Sequence, residues 1–284
     1  MTDTAPPRAD RVEETLVLPV WSRAVEDSRS KALFRDPTAT RLWRALGRDD
    51  AAFLKDYSGR LGIVLRTLKF DAWTRAFLDE HPDGTVVEAG VGLNTRYERI
   101  TGDVESTGTG PGRWFELDLP DVMAVRREHI AENDRRTLMT GSITDTDWID
   151  RAAETGGPWL FTIEGVLMYL DGGRVRELLA RIADKLPGAV VTFDALTEAG
   201  VAVQRKRGLE DRLGASFSWT MERAEDLKDL CPAAEVAESC TLRDIAVEHK
   251  HRMRFMLLVA GLAMVTIKRK AIGGYHMTRA VMRR

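Results

Sequence analysis

Over the first eighty residues, apolar positions recur at helical intervals. Leu61, Leu65, Leu68, Ala72 and Phe77 form one stripe, which predicts a helix over residues 61–78. Pro19 and Pro37 stand where helices are expected to begin, because proline suits the first helical turn. His81-Pro82-Asp83-Gly84 supplies strong turn chemistry and ends the helical region. Beyond Gly84 the pattern changes. Short apolar runs predict strands at 85–89, 113–117, 137–140, 159–163 and 189–193, and helical patterns fall between them at 95–100, 119–133, 147–154 and 173–185. Such alternation implies a mainly parallel sheet with right-handed crossovers. Segments 235–239 and 274–281 are expected to add edge strands. The predicted fold class is α/β: a doubly wound, mainly parallel sheet under a helical N-terminal cap. One domain is expected over 16–284, with the cap at 16–83 and the α/β core at 84–284.

The two ends of the chain add little chemistry. The opening "MTDTAPPRAD" is polar and lacks the apolar core of a secretion signal, so residues 1–15 read as a disordered lead-in. The longest apolar run, "FMLLVAGLAMVTI" at 255–267, is too short for a bilayer core, which needs roughly 20 residues. It reads as a buried helix, and no transmembrane segment is expected. Composition is ordinary for a globular protein, with 44% apolar and 30% charged residues in 284. The net charge of -2 argues against a general nucleic-acid binder. Cys231 and Cys240 fit no metal or redox spacing, so they read as reduced thiols of a cytoplasmic protein.

Chemistry concentrates in "VVEAGVGLNTRYERI", where a predicted strand runs into Gly90-Val91-Gly92. Ligands of open α/β sheets bind beyond the carboxyl ends of the strands, where this turn lies. A dinucleotide fingerprint would want glycine or alanine at Thr95, and a phosphate loop would want Gly-Lys-Ser or Gly-Lys-Thr. Two acids sharpen the reading. Glu88, at the end of the first strand, would repel a pyrophosphate and favour an ammonium or sulfonium. Asp118, at the end of the second, stands where a carboxylate accepts bonds from ribose hydroxyls. A ligand with a ribose, a positive charge and no phosphate is S-adenosylmethionine. Both acids could instead cap the helices that follow them.

The same stretch belongs to a longer pattern. "WSRAVEDSRSKALFRDPTA", "RTLKFD", "EAGVGLNTRYERI", "FELDLPDV", "SITDTDWI" and "EGVLMYL" follow one another in order. With them the chain resembles the leucine carboxyl methyltransferase family, in particular its bacterial tetracenomycin-type polyketide O-methyltransferase branch, from about Leu18 to Val281. The resemblance implies a class I methyltransferase fold with S-adenosylmethionine in the glycine turn. It makes Arg66 the grip on the methionyl carboxylate, Asp118 the ribose acid, Ser142 and Ile143 the border of the adenine, and Glu164 an acid close to the cofactor. Arg23 matches an N-terminal cation that also reaches it. Two positions depart from the family pattern: Asn94 stands where Asp is usual, and Ser142 where Asp is frequent.

Methyl transfer is an in-line displacement, so proximity and alignment can supply about 7–11 kcal/mol of catalysis. A carboxylic acid, with a pKa near about 4, arrives ionised; a phenol, near about 10, gains from a base. None of His81, His129, His249, His251 and His276 sits in a recognisable catalytic motif. The expected activity is therefore methylation of a carboxylate on a natural product or peptide, releasing S-adenosylhomocysteine. Methylation of a phenolic or enolic hydroxyl is the alternative. A cofactor-retaining protein without methyl transfer is a reading of another class. Tyr169 is either packing or an acceptor contact, and Trp43, Phe53, Tyr57 and Trp219 either core or aromatic lining. Segment 197–221 is either a lid or an ordinary connection. From His249 to Arg284 the chain carries nine Lys or Arg and no acid. That is a solvated basic face or a dock for something acidic: a carrier protein, a peptide substrate or an anionic membrane surface.

Overall fold

The computed structural model describes residues 9–48, 57–102, 112–250 and 274–283. Helices α1 (Ala9–Asp27), α2 (Pro37–Leu46) and α3 (Tyr57–Glu80) come first. Pro37 occupies the first turn of α2, with the Asp36 side chain accepting from the Ala39 amide at 2.8 Å. Pro19 does not begin a helix; it lies inside α1. The proline removes one intrahelical donor, and burial of Val17, Leu18, Val20 and Trp21 holds the helix through it.

The remainder alternates as expected. In order come β1 (Thr85–Ala89), α4 (Arg96–Thr101), β2 (Arg113–Asp118), α5 (Pro120–His129), β3 (Arg136–Thr140), α6 (Asp147–Ala153) and β4 (Trp159–Ile163). They are followed by α7 (Gly172–Lys185), β5 (Val190–Leu196), α8 (Glu198–Lys206), α9 (Leu209–Leu213), α10 (Leu227–Leu230), β6 (Ala234–Thr241), α11 (Leu242–Glu248) and β7 (Tyr275–Met282). The sheet order is β3-β2-β1-β4-β5-β7-β6. The first five strands of that order are parallel, and β7 is antiparallel to both neighbours. Only β6 of the two late segments is an edge strand. β7 is inserted between β5 and β6, with Met277, Thr278, Ala280 and Met282 fully buried. The apolar run at 255–267 lies outside the described residues.

The pleat sorts the strand residues between two faces. Val87, Phe115, Phe161 and Val191 join the core formed with α6 and α7. Val86, Trp114 and Leu160 pack against Phe77 of α3 and Tyr97 of α4. Glu88, Glu116 and Thr162 share a register on the second face. The chain leaves β1 to one side and β4 to the other, so the topological switch point lies between their carboxyl ends.

Candidate active site

The glycine turn lies at that switch point. Gly90 has φ 75° and Gly92 φ 53°, in the region that favours glycine. A Cβ on Gly90 would stand 2.2 Å from Val166 Cγ2, in the turn after β4. The first glycine thus lets two strand-end loops touch. The Gly90 and Val91 amides donate to the Leu117 carbonyl at 2.8 and 3.1 Å, and Gly92 donates to Asp118 Oδ2 at 2.7 Å. Three successive carbonyls turn inward: Gly92 and Asn94 accept from Arg126, and Leu93 accepts from Arg23. The Gly90 carbonyl and the Leu93 amide take no hydrogen-bond partner among the described residues. Thr95, where a dinucleotide fold wants a smaller residue, is fully buried and donates to Asp36 Oδ2 at 2.6 Å.

Behind the turn lies a network of buried charges joining the cap to the sheet. Arg23, Arg66, Arg96 and Arg99 face Asp36, Asp71, Glu88, Glu164 and Asp194, one more acid than base. Glu88 points to the α3–α4 face and is fully engaged. It accepts from Arg96 at 2.5 Å, Trp114 Nε1 at 3.1 Å and Asn94 Nδ2 at 3.1 Å. Arg96 also bonds Asp71 and Glu164, bridging α3, β1 and the end of β4. Arg66 donates from Nε to Glu164 at 2.7 Å and from Nη1 to Tyr275 at 2.8 Å and Asp194 at 3.3 Å. Its Nη2 has no hydrogen-bond partner among the described residues, and the side chain keeps 16% of its surface exposed. Asp194 also receives the Gly165 amide and the Tyr275 hydroxyl.

These contacts set the ionisation of the groups. Burial works against a charge on Glu164, but Arg66 and Arg96 outweigh it and hold the pKa at about 2. Burial also opposes the Arg66 charge; Tyr275, Glu164 and Asp194 outweigh that and leave its pKa well above the ordinary value. Burial lowers Arg23 to about 10 despite Asp36, from which it is 3.1 Å.

Asp118 closes the other side of the crevice. Its Oδ2 takes the Gly92 amide and its Oδ1 the Leu119 amide, so it is not the cap of α5, whose N-cap is Leu119. Burial raises its pKa. Each oxygen keeps a lone pair for another donor. Leu119 beside it is one of the large apolar side chains left exposed, at 44%. Across from it, the Gly141 amide bonds the Asp118 carbonyl, which brings the Ser142–Ile143 turn to the same edge. The Ser142 hydroxyl pairs with Thr144 Oγ1 at 2.8 Å, and Ile143 is buried.

Tyr169, in the turn after β4, stacks on Phe217, with centroids 5.3 Å apart and an interplanar angle of 21°. Burial lifts the Tyr169 hydroxyl to about 12. Segment 197–221 holds α8 and α9 and is tied down at both ends, by Thr197 to Gly274 and by Met221 to Leu196. Trp219 is buried against Phe193, a core contact. Phe53, the side chain of Tyr57, and most of the basic C-terminal segment, with His251, lie outside the described residues. His276 follows Tyr275 on β7 and points to the opposite face of the strand. No helix among the described residues is long and apolar enough to cross a membrane.

Asp36, Asp71, Arg96, Arg99, Arg126, Asp194 and Tyr275 escape the sequence reading. A signal existed for some of them. Arg96 and Arg99 are three apart on one helix face, and Asp194 ends its strand just as Glu88 and Asp118 end theirs.

Residues 17–183 match the leucine carboxyl methyltransferase family. The chain is 28% identical over 237 residues to the tetracenomycin polyketide synthesis O-methyltransferase TcmP of Streptomyces glaucescens, covering 84% of this chain and 85% of that protein. It is 30% identical over 249 residues to a Frankia alni protein named as a candidate S-adenosyl-L-methionine-dependent methyltransferase, covering 80% and 83%. Among solved structures, a DUF574 family protein from Streptomyces avermitilis superposes with a TM-score of 0.59 at 12% identity, over 97% of this chain and 100% of that one. That likeness bears on the fold.

Proposed function

The chain belongs to the leucine carboxyl methyltransferase family and is an S-adenosylmethionine-dependent methyltransferase; from that premise we propose that it methylates a carboxylate oxygen of a natural product or peptide. Bound in the crevice, the cofactor supplies an electrophilic methyl group on a sulfonium. The open groups fit such a molecule one by one. The Gly90 carbonyl, without a partner among the described residues, suits the α-ammonium, and Arg66 Nη2 suits the methionyl carboxylate. The unused lone pairs of Asp118 suit the ribose hydroxyls, and exposed Leu119 with Ile143 suits the two faces of a flat base. The carboxylates of the buried network, Glu88 and Glu164 among them, line the side of the crevice where the sulfonium and ammonium would lie. Glu88 acts in this reading through Arg96, and Arg23 through the Leu93 carbonyl.

The observation that carries the choice of acceptor is the pKa of the groups around Glu164. A general base works best with a pKa near the working pH. Glu164 is held at about 2, Tyr169 is lifted to about 12, and Tyr275 lies well above its ordinary value. None of these three is poised as a base, and Asp194, which burial raises, is engaged by Arg66, Tyr275 and the Gly165 amide, which favours an acceptor that arrives already ionised. The chain's own task is then to align that oxygen with the methyl group and exclude water, with segment 197–221 as the lid and Tyr169 at the acceptor. A kcat at saturating cofactor that stays flat from about pH 6 to 9, with methyl ester found by mass spectrometry, is the expected result. The printed name of the Streptomyces glaucescens relative, a polyketide synthesis O-methyltransferase, is compatible with a second reading, methylation of a polyketide hydroxyl. A titration within that window would select it.

A further inference from the structure

Arg126 has no place in the reading above, and its surroundings are unusual. It projects from α5, is fully buried, and divides its guanidinium between two tasks. Nε and Nη2 face Glu116 Oε2 at 2.9 and 2.7 Å. Nη1 donates to the Gly92 carbonyl at 3.0 Å and the Asn94 carbonyl at 2.8 Å. Arg23 takes the Leu93 carbonyl between them at 2.8 Å. Three consecutive carbonyls are therefore drawn into the protein. The groups of the turn left without a partner among the described residues are the Gly90 carbonyl and the Leu93 amide.

A merely structural role accounts poorly for this arrangement. Replacing a buried ion pair by apolar side chains of similar size is often neutral or stabilising. A structural role would therefore not require a charge at this point. A fixed, charged donor placed on backbone carbonyls does something apolar packing does not: it selects which way a short loop turns its dipoles. Guanidinium geometry suits the task, since one rigid fork can anchor on a carboxylate and still hold two carbonyls.

We propose that Arg126, seated on Glu116, is a positioning residue for the cofactor. By holding the Gly92 and Asn94 carbonyls inward it fixes the turn in the shape that presents the Gly90 carbonyl and the Leu93 amide to the crevice. The proposal rests on the reading that the cofactor lies at this turn.

The test is calorimetric titration of S-adenosylhomocysteine into four variants beside wild type. Arg126→Gln/Glu116→Gln removes the pair without leaving a lone buried charge. Its Kd should rise about 10- to 100-fold, the scale of lost hydrogen bonds to a charged group. The KM for cofactor should rise equally while kcat holds, the mark of uniform binding. Arg136→Gln is the structural control. Arg136 also approaches Glu116, at 3.8 Å, but bonds Glu98 and the Ala131 carbonyl and touches no carbonyl of the turn. It should lower the melting temperature and leave Kd unchanged. Arg126→Lys, which keeps the charge on Glu116 but loses the fork, should show a smaller rise in Kd and covers the case in which the double variant fails to fold. A wild-type Kd in either Arg126 variant, or an equal rise in Arg136→Gln, overturns the proposal. Asp118→Ala separates the premise: if it binds as wild type does, the placement of the cofactor fails and the proposal with it, whereas loss in Asp118→Ala with unchanged Arg126 variants removes the proposal alone.

Discussion

Arg66 on α3 lies 2.7 Å from Glu164 at the end of β4, so the cap and the sheet share one charge pair at the mouth of the crevice. The same guanidinium holds Tyr275 and Asp194. Lysine keeps the charge but cannot serve several partners in fixed directions. Arg66→Lys should therefore raise the KM for cofactor about tenfold, the scale of one lost charged hydrogen bond. Initial-rate kinetics at saturating acceptor check this.

Glu164 makes stability depend on acid. Its folded pKa of about 2 lies below the ordinary 4.5, because Arg66 and Arg96 prevail over burial. The folded state binds the proton less readily than the unfolded chain. The stabilisation is thus complete above about pH 4.5 and lost as pH falls towards about 2, up to about 3 kcal/mol in all. Urea unfolding of wild type and Glu164→Gln should show a gap that narrows over this interval.

Glu116 should behave in the opposite sense. Burial pushes its pKa up to about 7 in spite of Arg126 and Arg136. Its contribution is present below about pH 4.5 and is lost as pH rises through about 7. Glu116→Gln should therefore gain on wild type by up to about 3 kcal/mol between pH 4 and pH 8. The same urea series measures it.

Gly90 carries two demands at once: a φ of 75° and contact with Val166. Gly90→Ala should cost about 2–4 kcal/mol, from backbone strain and the clash together. Val166→Ala removes the methyl that the added Cβ would meet, so the double variant should recover part of the loss. The strain term should remain. Thermal unfolding of the two single variants and the double variant measures the coupling.

The strands were legible where buried apolar runs stand between turn residues. β1 and β4 fall on the residues that their sequence predicts, and the other parallel strands differ by a few at their ends. Spatial order was not legible for β7, because sequence order does not reveal insertion between β5 and β6. Acids at strand ends could be read as candidates, since the fold class already tells where strands point. Their partners could not. Arg66 meets Asp194 and Tyr275 from remote parts of the chain, and Arg96 gathers Asp71, Glu88 and Glu164 from three elements. Glu88 illustrates the limit. Its position at the strand end was evident, but the pleat that turns it towards Arg96 follows from register.

Diffraction from crystals grown with S-adenosylhomocysteine tests the central claim most directly. The account predicts density along the crevice, with the amino group on the Gly90 carbonyl, the carboxylate on Arg66, the ribose on Asp118 and the base between Leu119 and Ile143. Density for the nucleoside elsewhere, with this crevice holding only solvent, would contradict it.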